Sequence, residues 1–129
     1  VNEWVAKNVI PQMTGVAETH PSIAEMYSAF ASWYQLAKNN ATVMWHMGSV
    51  VECGLFRALV EGRFIGEWDA PYTPIEVSTI LQMKGYAPDS VDSYLETKGL
   101  EKPADLEGGT HNPLYDAIVA GSVYFDLIK

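Results

Sequence analysis

The stretch SIAEMYSAFASWYQLAK, residues 22–38, constrains the fold most strongly, because a helix start is followed at once by an unbroken helical pattern. Ser22 and Glu25 form a capping box, in which a hydroxyl and a carboxylate serve amides that the first turn leaves without partners. Ile23, Met26, Tyr27, Phe30, Trp33, Tyr34 and Ala37 then recur at i, i+3, i+4 and i+7, with Glu25, Ser28, Ser32, Gln35 and Lys38 opposite. Such a helix draws its stability from covering its apolar face, so the rest of the chain must supply something to cover it.

The next segment reads as that partner. Asn39-Asn40 breaks the first pattern and caps a second helix from Asn40 to Glu61, with Gly62 as its left-handed terminator. This helix of about 20 residues would span about 30 Å. Its main stripe is Val43, Met44, Met47, Val50, Val51, Leu55, Ala58 and Leu59. Gly48 and Gly54 each cost about 1 kcal/mol relative to alanine inside a helix, which points to close approach of a backbone or ligand.

Shorter elements flank this pair. A first helix covers Asn2 to Ile10 and stops at Pro11, and the stretch QMTGVAETHP, residues 12–21, connects it to Ser22. The aromatic stretch FIGEWDAPY, residues 64–72, is broken by Gly66 and Pro71 and reads as an ordered loop. Thr73-Pro74-Ile75-Glu76 has the form of a second capping box, opening a helix that Gly85 ends. Pro88 opens another, closed by Gly99 with Leu100 as the apolar partner of a Schellman turn. Residues 102–110 read as a surface loop, and Asn112-Pro113 starts a last helix that reaches Ile128.

A chain of 129 residues, 48% of them hydrophobic, has enough apolar material for one core. The expectation is a single all-α domain over residues 1–129, a bundle of five or six helices with the Asn40–Glu61 helix central. The chain starts at Val1 without a methionine and reads as processed, trimmed or cut from a longer polypeptide. One cysteine leaves no internal disulfide and fits a reducing compartment. No signal-peptide pattern and no spanning-length apolar run is seen, so the reading is an intracellular, soluble protein without membrane attachment.

A formal charge of −8, with the eight Lys and Arg residues scattered, argues against a nucleic-acid partner. The 85–107 hairpin is itself acidic, unlike a groove-reading helix-turn-helix.

Reactive groupings are few. On one continuous helix His46, Ser49 and Cys53 fall at i, i+3 and i+7, on one side, and are the candidate ligand-binding residues. His46 and Cys53 would stand about 10 Å apart along the axis, too far for a thiol–imidazole pair. His20, His46 and His111 lack metal-ligand spacing, and neither phosphate-binding glycine motif occurs, so no metal and no cofactor is expected. Glu67 and Asp69 beside Trp68 resemble an acid/base pair only if burial raises one pKa.

The last helix carries more apolar surface than one core stripe uses. Leu114, Ile118, Phe125 and Ile128 share one face, expected to be internal, while Val119, Val123, Tyr124 and Leu127 form the candidate interface, with Gly121 allowing close approach. The function read from the sequence is a non-catalytic acidic helical module acting through contact with a protein partner or self-assembly. The alternative is a small-molecule binding domain or enzyme with a pocket beside His46, Ser49 and Cys53. If the interface face is assigned correctly, Val123→Glu shifts the mass measured by light scattering toward monomer with helicity intact.

Overall fold

Cap residues set most of the helix starts. In the computed structural model, which describes residues 1–13, 19–102 and 109–129, the Ser22 hydroxyl oxygen accepts the Glu25 amide at 3.2 Å. That cap opens α2, Ile23–Ala37, which follows the short α1, Glu3–Asn8, and a 3-10 turn, Ile10–Gln12. The remaining elements are β1 (Met44–Trp45), α3 (Val51–Glu61), a 3-10 turn (Glu67–Asp69), β2 (Ile75–Glu76), α4 (Val77–Met83), α5 (Val91–Lys98) and α6 (Pro113–Leu127). Among the described residues the fold is thus six α-helices with one short parallel strand pair. The connector expected over 12–21 and the loop expected over 102–110 lie partly outside the described residues.

The chain divides into two compact units, Glu18–Glu76 and Val1–Ala17 with Val77–Lys129. In the first, α2 and α3 enclose Ala31, Tyr34, Phe56, Leu59 and Ile65, flanked by Tyr27, Phe30 and Phe64. The Tyr34 and Phe56 rings meet edge to face at 4.9 Å between centroids. The buried side of α2 is narrower than its apolar pattern: Ile23, Met26 and Trp33, expected inside, are exposed.

The long helix expected from Asn40 to Glu61 is half the length predicted. Met44 and Trp45 pair in parallel with Ile75 and Glu76, and the Ile75 amide donates to the Val43 carbonyl at 2.9 Å. Residues 46–50 then turn, with Met47 in the left-handed region at φ 59°, before α3 starts at Val51. Glu76 stabilises this turn: its two carboxylate oxygens accept the amides of Met47 at 2.9 Å and Gly48 at 3.2 Å. The Thr73–Glu76 capping box is therefore not formed as expected, because strand pairing carries Glu76 to amides far upstream. Gly48 does mark a close approach, since a Cβ there would lie 2.3 Å from Cγ of Trp45. Gly54 faces open space. At the end of α3 Gly62 stays right-handed and Arg63, φ 59°, takes the left-handed position.

The second unit is built around α6. Asn112 caps it, accepting the amides of Leu114 and Tyr115, and its own side-chain amide donates to the Gln12 carbonyl at 2.9 Å. Gly99 closes α5 at φ 63°, and the Leu100 amide reaches back to the Leu95 carbonyl at 2.9 Å, the Schellman pattern the sequence predicts. Tyr94 on α5 donates its hydroxyl to Asp126 on α6 at 2.8 Å.

The face of α6 turned inward is the reverse of the one expected. Tyr115, Val119, Val123 and Leu127 form a buried i, i+4 ridge against α4 and α5, with Val119 and Val123 at 0% exposure, while Tyr124 is half-buried. Leu114, Ile118, Phe125 and Ile128 face out. Val119, Val123 and Leu127 are thus core residues of this unit rather than a free interface. Val123→Glu buries an unpaired charge and, contrary to the expectation from sequence, should abolish cooperative thermal unfolding and lower the helical circular dichroism signal. An unchanged melting curve would return Val123 to the surface.

Candidate functional site

A trough of about 420 Å³ opens on the Glu18–Glu76 unit. One wall is a single face of α3: Cys53, Phe56, Arg57, Val60 and Glu61 follow at i, i+3, i+4, i+7 and i+8. The other is the aromatic loop, through Glu67, Ala70, Pro71 and Tyr72, and Trp45 of β1 completes the lining. Trp45 is held by its seat on Gly48, and Gly48 by the Glu76 carboxylate, so the strand pair positions one aromatic ring of the trough.

Asp69 holds the loop wall in place. Its side chain accepts the Gln35 amide nitrogen at 2.9 Å, the Gly66 backbone amide at 3.0 Å and the Lys38 ammonium. Its backbone carbonyl accepts the Tyr34 hydroxyl at 2.8 Å. Within the loop, the Tyr72 hydroxyl donates to the Glu67 carbonyl at 2.9 Å, and the Tyr72 and Trp68 rings stack with centroids 5.6 Å apart. Hydrogen bonds from Lys38, Gln35 and Gly66 pull the Asp69 pKa down to about 2. A general acid needs the opposite shift, so Asp69 is a structural anchor rather than a general acid.

The turn at 46–50 separates the three residues read from the sequence. His46 follows β1 and is half-buried, Ser49 is exposed in the turn, and Cys53 is half-buried on α3. Their helical spacing therefore does not apply, and of the three only Cys53 is among the residues lining the trough. Reasoning from sequence missed Arg57, Glu61, Tyr72 and Trp45. The signal for the first two was the i, i+4 face they share with Cys53, obscured when that helix was extended back to Asn40.

Among the described residues no cluster of three or more His, Cys, Asp or Glu side chains is placed to hold a metal ion. No helix there is long and apolar enough to cross a membrane. No family model, curated protein or solved structure matches the chain.

The Asp69 anchor has a pH signature. A carboxyl whose folded pKa lies near 2, below its ordinary 3.8, binds protons less readily in the folded state, so its stabilisation is present above about pH 4. It is lost as pH falls from there toward 2. Acid titration followed by tyrosine and tryptophan fluorescence should show loosening of the loop in that window, and Asp69→Asn should show a loose loop already at neutral pH. A variant with wild-type fluorescence at pH 7 would remove Asp69 from this role.

Proposed function

We propose that this chain is a non-catalytic, acidic helical module that works through protein–protein contact, and that it self-assembles along α6. The observation carrying this reading is the outward stripe of that helix: Leu114, Ile118, Phe125 and Ile128 are 62%, 38%, 63% and 53% exposed. Their i, i+4, i+11 and i+14 spacing puts them on one face about 21 Å long. Gly121 lies midway on the same stripe, seven residues after Leu114, and brings no side chain to it.

The charges of α6 point elsewhere. Asp116 accepts the His111 amide, and Asp126 engages Tyr94 and Lys129. The stripe is thus an uncharged surface on a chain of charge −8, the kind of face on which two copies meet without placing like charges in contact. The same property recurs on α2, where Ile23, Met26, Trp33 and Leu36 are exposed. The other reading, a small-molecule or catalytic pocket beside His46, Ser49 and Cys53, has in its favour the placement of Cys53 in the trough.

Self-assembly of this kind has a distinctive salt response. The net charge of −8 opposes approach of two copies, so screening strengthens association. The light-scattering mass should rise with protein concentration and rise further with added salt. Phe125→Glu, at an exposed position, should give the monomer mass under all these conditions with unchanged helicity. A wild-type protein that stays monomeric at high concentration and high salt would overturn self-assembly through α6.

A further inference from the structure

We propose that the trough between α3 and the 67–72 loop docks a linear segment of a partner protein in which a basic side chain stands beside an apolar one. The inference rests on the reading of this chain as an acidic contact module and names what that module recognises. The apolar part of the requirement comes from Trp45, Phe56, Val60, Ala70, Pro71 and Tyr72. A site of about 420 Å³ has room for a few side chains, and its open mouth suits an extended segment lying across it.

The basic part comes from charge. Glu61 stands on the last turn of α3 and Glu67 on the facing loop, and no described residue forms an ion pair with either. Four carboxylates elsewhere are engaged, Asp69 by Lys38, Asp92 and Glu96 by Lys102, and Asp126 by Lys129, while others, Glu52 on α3 among them, share with Glu61 and Glu67 the lack of an ion pair among the described residues. Trp45 and Tyr72 are also among the lining residues, and aromatic rings carry the negative quadrupole that attracts an ammonium or guanidinium group. Arg57 is the opposing charge, so the exposed residues bordering the trough include two carboxylates and one guanidinium. The net charge of −8 extends the same sign over the whole chain and steers basic partners toward it, whereas an acidic segment meets net repulsion.

The test is a titration of the intact chain with acetyl-Lys-Leu-Lys-Leu-Lys-amide and with its counterpart acetyl-Glu-Leu-Glu-Leu-Glu-amide. Binding is followed by the indole N–H resonance of Trp45, assigned by its loss in Trp45→Phe. The Lys peptide should shift this resonance saturably and the Glu peptide should not. Glu61→Gln combined with Glu67→Gln should weaken the Lys peptide about tenfold or more, the scale of losing charge-assisted contacts. Arg57→Gln should leave its affinity equal or tighter. Glu61, Glu67 and Arg57 are all exposed, so these variants keep the fold, as an unchanged circular dichroism spectrum will verify.

Failure of the Lys peptide to bind, equal binding of the Glu peptide, indifference to the double substitution, or weakening by Arg57→Gln would each overturn the proposal. Repeating the titration on Phe125→Glu separates this result from contact through α6. Binding unchanged there supports an independent trough, and self-association that survives without peptide binding overturns the trough alone.

Discussion

The trough depends on one carboxylate. Asp69 takes donors from α2, through Gln35 and Lys38, and from its own loop, through Gly66, while Tyr34 reaches its carbonyl from beneath. The loop it anchors has little apolar burial to hold it otherwise: Trp68 is 83% exposed and Tyr72 is mostly in solvent. Polar contacts at partly exposed positions are individually modest. Here several converge on one residue, and convergence is what converts a surface loop into a wall of fixed shape facing α3.

How legible an element was depended on whether its stabilising contacts were local. The Ser22 and Asn112 caps bond to amides within three residues, and both helix starts are where the sequence puts them. Gly99 likewise acts within its own turn. Glu76 had the same local appearance, yet its oxygens go to Met47 and Gly48, 29 and 28 residues away. The apolar spacing of residues 43–51 allows a helix, and only pairing with Ile75 and Glu76 makes it a strand and a turn. The helical spacing that grouped His46, Ser49 and Cys53 is lost for that same reason.

The α6 inversion has a different origin. Both of its faces are apolar, so helical periodicity identifies the helix without saying which side is inward. A weak cue was present: Tyr115, Val119, Val123 and Leu127 make an unbroken ridge, whereas the opposite face is interrupted by Gly121. An uninterrupted ridge fills a core groove better than one with a gap at its centre. Excess apolar surface on this helix was legible, and the side on which it lies was not.

The Glu76 clamp bears on how this protein can change over generations. Its partners at 47 and 48 are main-chain amides, which every residue except proline supplies, so the side chain at 47 can drift without weakening the bonds. Met47 already sits at φ 59°, a conformation that glycine or asparagine adopts more readily, so the least costly replacements there are smaller ones. Position 48 has no such latitude, because any β-carbon collides with Trp45. Mutational tolerance in this turn therefore alternates residue by residue, and a library of variants at 47 and 48 would trace the clamp from survival alone.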